Sequence, residues 1–171
     1  MAYREISAGS NIQEKVDWAH TCFKKHKKTL LDDIKVNQLL ENFNKAASES
    51  FKEMIETGLV EECRKCEEEE GGACCGAGIE NRYSGTLLLI NLLMGVALPS
   101  KQEDKRSCFF LGKRGCMLKA RHVICVNYIC KKITDNISEE AINHLRNLEG
   151  LELEILFILN ERIKAILREL K

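Results

Sequence analysis

Eight of the nine cysteines of this 171-residue chain lie between Cys63 and Cys130, and only Cys22 stands apart. Clustering of that density restricts the fold more than any helix pattern does, because the backbone must bring the sulfurs together through disulfides or through metal. The segment opens with Cys63-Arg-Lys-Cys66, passes an acidic run from Glu67 to Glu70, and continues Gly71-Gly72-Ala73-Cys74-Cys75-Gly76-Ala77-Gly78. It closes with Cys108-Phe-Phe-Leu, Gly115-Cys116, Cys125 and Cys130.

The rest of the sequence tilts the choice toward metal. No signal peptide is visible at the N-terminus. The longest apolar run, Leu87 to Leu98, is interrupted by Asn91 and Gly95 and is short of the ~20 residues a membrane span needs. The expectation is a cytoplasmic chain with no membrane partner, where thiols stay reduced. Net charge is zero, so no overall field recruits nucleic acid. Residues 59–133 carry twelve basic against nine acidic side chains, a local +3 that suits the net negative charge of a thiolate-bound ion.

The periodicity predicts a mostly α fold, a small helical bundle with an irregular metal-bound cysteine-rich segment. Residues 1–58 read as an N-terminal helical hairpin. Ile12, Val16, Ala19, Phe23, His26 and Leu30 stripe a helix over 11–31, with Asn11 or Ser10 as its cap. A second helix over 36–57 ends at Gly58. Lys24, Lys25, Lys27 and Lys28 read as a solvated face, with phosphate binding the weaker alternative. Cys22 reads as a small core residue. Residues 59–133 form the cysteine-cluster segment, including a helix over 84–97 that is apolar nearly all round and is ended by Pro99. Residues 134–171 are expected to form two helices, one from Ser138 to about Leu148 and one over 151–170, divided at Gly150 and packing on the same core in a single domain.

Cys63-x2-Cys66 has the commonest spacing for two thiolates on one ion, since a tight turn can aim both sulfurs the same way. Gly71, Gly72, Gly76 and Gly78 allow the backbone positive φ and close approach to an ion. In Cys74-Cys75, neighbouring side chains point apart in extended chain, so either one is a ligand beside a buried thiol or the two serve different ions. The candidate ligands are Cys63, Cys66, Cys74, Cys75, Cys108, Cys116, Cys125 and Cys130, enough for two four-thiolate sites or for one with spares. His122 can replace a thiolate, and Glu67 to Glu70 read as a solvated run. The glycine-rich stretch lacks the lysine and hydroxyl of a phosphate loop.

These residues resemble the YkgJ-type cysteine-cluster family, described as a zinc- or iron-chelating domain. The resemblance rests on Cys63-x2-Cys66, the glycine-preceded Cys74-Cys75, Cys108-Phe109-Phe110-Leu111, and Cys116-Met117-Leu118 followed by Arg121, Cys125 and Cys130. Lys119 stands where the family has tyrosine and His122 where it has proline. The matched stretch, about 60–133, is under half of the chain. The resemblance implies metal chelation and no general activity.

Zinc is the first expectation, because a closed four-cysteine site stabilises folding directly. An iron–sulfur cluster with a redox or enzyme-associated role is the alternative, although the spacings match neither ferredoxin pattern. A third reading is a helical interaction module stapled by metal, with a protein partner or a homodimer formed through residues 151–171. No catalytic constellation is readable from the sequence.

Overall fold

The computed structural model describes residues 5–70 and 74–170, the side chains of 67–70 excepted. The chain is mostly helical, as the periodicity predicts. Its elements run α1 (Ile12–Asp32), α2 (Ile34–Glu56), α3 (Leu59–Glu70), a 3-10 turn (Ile79–Arg82), α4 (Gly85–Leu93), β1 (Leu111–Gly112), β2 (Gly115–Cys116), α5 (Val123–Asn127), α6 (Lys131–Asn136) and α7 (Glu139–Glu169).

Local chemistry fixes most helix ends. Asn11 caps α1 in a reciprocal box: its side chain accepts from Glu14 N at 2.9 Å, and Glu14 Oε2 accepts from Asn11 N at 3.0 Å. A single residue, Asp33, separates α1 from α2 and caps the latter by accepting from Val36 N at 2.9 Å. The same carboxylate pairs with Arg162 of α7 at 2.5 Å. Gly58 follows the end of α2 with φ 81°, the left-handed conformation that glycine adopts without a Cβ penalty.

The bundle is organised by two helix pairs. α1 packs mainly along α4, and α2 along α7. Asp33 meets Arg162, Ser50 meets Glu152 and Glu53 meets His144, so α2 and α7 run antiparallel. α4 lies at the centre, with Leu88, Leu89, Ile90 and Asn91 all fully buried. α1 and α4 approach so closely that a Cβ on Gly85 would stand 2.5 Å from Trp18 Cε3. Beside the main core, Leu59, Ile133 and Leu145 form a smaller one that joins α3, α6 and α7.

Three sequence expectations need correction. The helix ends at Leu93, with Met94 as its cap and Gly95 at φ 78°, so the reversal precedes Pro99. The two expected C-terminal helices are one, because α7 continues through Gly150. A helical glycine costs about 1 kcal/mol, and burial of Leu145, Leu156, Leu159 and Ile163 on either side outweighs it. Finally, the start of the cysteine segment is regular: α3 holds residues expected in an irregular stretch. Its Glu, Arg and Lys are good helix formers, and Glu61–Arg64 at 2.8 Å and Glu62–Lys65 at 3.3 Å pair along one turn. Among the described residues no helix is long and apolar enough to cross a membrane.

Candidate metal centre

Cys63 and Cys66 lie one helical turn apart on α3, so they share a face without the tight turn that their spacing suggests. Burial pushes the Cys63 thiol up to about 11, and the next contributions come from Cys74, then Cys130 and Cys66. These four sulfurs are therefore electrostatic neighbours. Cys130 is the N-cap residue of α6, and its side chain makes no capping hydrogen bond, which leaves the sulfur free to face the group. The backbone of Cys130 does the capping, its carbonyl accepting from Ile133 N and Thr134 N at 3.1 and 3.2 Å.

The second group is built on a different backbone pairing. Segments 75–77 and 106–108 lie alongside each other: Cys108 N donates to Cys75 O at 2.6 Å, Ala77 N donates to Arg106 O at 3.0 Å, and Gly76 bridges Ser107. Cys108 is buried, and its thiol is also raised to about 11, first by burial and then by Glu80, Cys116 and Cys125. Cys116 ends the β1–β2 hairpin opposite Leu111. Gly115 starts β2 with φ 98°, which makes that two-residue return possible. Cys125, on α5, accepts a hydrogen bond from the fully buried Tyr83 hydroxyl at 3.7 Å.

The adjacent Cys74 and Cys75 have different surroundings. Cys74 neighbours Cys63, whereas Cys75 packs half-buried against the main core beside Cys108. Cys63 thus has Cys66, Cys74 and Cys130 as electrostatic neighbours, and Cys108 has Cys116 and Cys125, with the Cys75 backbone paired to that of Cys108. All nine cysteines are free thiols. Every cysteine of the segment except Cys108 lines a single cavity of about 1170 Å³ between α2, α3, the hairpin, α5, α6 and α7. Cys116 is exposed yet has its pKa raised, chiefly by burial. Both follow if its surface opens into this cavity and protein surrounds it.

Among the described residues no three His, Cys, Asp or Glu side chains converge on one point as bound ligands do. The sulfurs are neighbours around a space. Thiols raised by burial, as Cys63 and Cys108 are, are poor nucleophiles at neutral pH.

Other sequence candidates resolve differently. His122 caps α5, with Nδ1 accepting from Ile124 N at 3.2 Å, and its ring is tilted against Tyr83 at 5.8 Å. Burial and then Arg82 lower its pKa, so it serves as a neutral cap. Gly78 has φ 100°, whereas Gly76 does not have positive φ and takes part in the bridge to Ser107. The side chains of Glu67 to Glu70, together with Gly71 and Gly72, lie outside the described residues. Cys22 is buried on α1, where burial lifts its thiol to about 11. Lys24, Lys25, Lys27 and Lys28 are exposed, with Lys27 over the Phe23 ring at 5.0 Å.

The sequence pattern missed two buried carboxylates, Glu149 and Glu152, which reach the same cavity from α7. Their spacing on the apolar side of α7 was the available signal. The chain matches no family model, no curated protein and no solved structure.

Proposed function

We propose that this chain is a metal-binding protein that holds zinc through cysteine thiolates, of the cysteine-cluster kind its sequence resembles. One observation carries the reading: seven of the eight clustered cysteines, all free thiols, line one cavity, and the eighth, Cys108, is an electrostatic neighbour of Cys116 and Cys125. The donor chemistry fits a soft, tetrahedral ion, since sulfur ligands in fours are the commonest closed zinc set. Cys63, Cys66, Cys74 and Cys130 would hold one ion, and Cys75, Cys108, Cys116 and Cys125 a second. When bound, zinc supplies folding free energy and a fixed crosslink. The chain's own part is to present two sulfurs from one face of α3, one from the start of α6, and the remainder from the paired 75–77 and 106–108 segments, the hairpin and α5. Burial raises the Cys116 thiol, and Arg121 offsets part of that rise, as a nearby positive charge does for any thiolate ligand.

Paired substitutions test the division. Cys63→Ser with Cys66→Ser should remove one equivalent of metal and leave the other, and Cys108→Ser with Cys116→Ser should do the reverse. Loss of all metal in both variants contradicts two separate groups.

An iron–sulfur cluster is the second reading, favoured by the Tyr83 hydroxyl on Cys125 Sγ, because hydrogen bonds to sulfur tune cluster potentials. Visible absorption of anaerobically purified protein separates the two: a brown sample means a cluster and a colourless one zinc. A protein partner or a second copy on residues 151–171 is favoured by Phe157, which is 66% exposed, and by the exposed Leu151 and Ile158 on the same helix. Phe157→Glu should then shift the assembly state in light scattering, and an unchanged state sets that reading aside.

A further inference from the structure

The sulfurs proposed to hold zinc are not equally supported by the chain around them. Cys108 Sγ accepts from Phe110 N at 3.5 Å, and Cys125 Sγ accepts from the Tyr83 hydroxyl at 3.7 Å. The Leu118 N–H is directed at the Cys116 sulfur. Both backbone donors stand two residues beyond their cysteine, so the turn after each sulfur delivers the bond. Tyr83 is fully buried, with its ring tilted against Phe110 at 5.2 Å, which holds the hydroxyl in place. Cys108 belongs to the main core, and Cys75 and Cys125 pack against that core.

Cys63, Cys66, Cys74 and Cys130 are placed otherwise. Cys63 and Cys66 ride on α3, where the backbone N–H groups are committed to the helical ladder and none is left for a sulfur. Cys130 makes no capping hydrogen bond through its side chain and packs on the smaller core of Leu59, Ile133 and Leu145. Cys63 and Cys74 are exposed, whereas Cys108 is buried.

We infer that the two ions differ in kind: Cys75, Cys108, Cys116 and Cys125 keep a structural zinc, whereas Cys63, Cys66, Cys74 and Cys130 hold an exchangeable one that passes to an incoming chelating ligand. This division of roles rests on the zinc reading above. Hydrogen bonds to a thiolate disperse its charge and fix its direction, and removing such an outer partner lowers metal affinity about 10–100-fold. Where the sulfurs lack those donors and face solvent, an incoming ligand replaces them one bond at a time. Each released thiolate takes up a proton, zinc stays divalent, and no oxidant is needed.

Metal transfer from the zinc-loaded full chain to excess pyridylazoresorcinol, a chromogenic chelator, tests the division by absorbance. One equivalent should leave in a fast phase and the second in a phase at least about tenfold slower. Cys63→Ser with Cys66→Ser should abolish the fast phase alone. Tyr83→Phe keeps the ring and removes the hydroxyl, so it should quicken the slow phase about tenfold and leave the fast one unaltered. Two equivalents leaving at one rate, a fast phase that survives the paired serine substitutions, or a slow phase that Tyr83→Phe does not touch overturns the division while the zinc reading stands. A chain carrying no zinc overturns that reading and the division with it. Should the Tyr83→Phe variant unfold, the phase lost in the paired serine variant still decides.

Discussion

Asn91 connects the central helix to the loop that carries the second cysteine group, and replacing it gives a prediction whose size follows from its hydrogen bonds. Its side chain is fully buried on α4. Oδ1 accepts from Lys119 N at 2.9 Å and Ala120 N at 3.0 Å, while Nδ2 donates to Ala120 O at 2.9 Å and Leu87 O at 3.0 Å. This residue therefore fixes the backbone midway between Cys116 and Cys125. In Asn91→Leu the Leu87 carbonyl remains within the helical ladder, and Lys119 N lies near enough to the surface to find water. Ala120 is fully buried, so its N–H and C=O both lose their partner. Each such group costs about 1–3 kcal/mol, and the better helix propensity of leucine returns only a few tenths of a kcal/mol. The expected loss is about 3 kcal/mol. With a urea slope of about 1–3 kcal/mol per molar, the unfolding midpoint should fall by roughly 1–3 M. Thiol-reagent kinetics on the folded variant should also show Cys116 and Cys125 reacting faster. A loss below about 1 kcal/mol would refute the claim that Asn91 holds this loop.

The two helical glycines make opposite predictions. Gly150→Ala should stabilise the chain by about 0.5–1 kcal/mol in thermal melts, since nothing lies within 4 Å of the added methyl; destabilisation would mean that α7 is not continuous there. Gly85→Ala should destabilise by about 1–3 kcal/mol, because Trp18 and Ile6 occupy the space at 2.5 and 2.8 Å, and a neutral result would deny the close α1–α4 approach. Arg162 holds the Asp33 carboxyl below its ordinary 3.8, so their pairing contributes stability above that pH and loses it as pH falls through the lower folded value. The pair is partly exposed, so Arg162→Ala should lower stability only slightly near neutrality. The difference from the parent should shrink as pH falls below the ordinary 3.8 of the carboxyl, and a pH-independent difference would rule out this linkage.

The helices were legible where apolar residues recur on one stripe. Val16, Ala19 and Leu30 on α1, and Val36, Leu40 and Phe43 on α2, are buried where the periodicity places them. Ser84 and Ser138 cap α4 and α7 as their sequence context suggests. Gly150 misled because local propensity was weighed without the tertiary burial flanking it. α3 was hidden by its charge: a run of Glu looks like solvated loop until its pairing with Arg64 and Lys65 is counted. That seven of the eight clustered cysteines line one cavity was foreshadowed by their density in the sequence, but the elements that carry each of them were not. Cys74 and Cys75 are separated by the backbone pairing of 75–77 with 106–108, a contact across thirty residues that spacing does not encode. Glu149 and Glu152 escaped because a carboxylate on an apolar stripe reads as a boundary residue until its burial is known.

Elemental analysis of protein purified without added metal tests the central claim most directly. Two equivalents of zinc per chain, with the eight clustered thiols protected from titration and Cys22 buried, is the predicted result. Less than half an equivalent of any transition metal, with all nine thiols reacting freely, would contradict it.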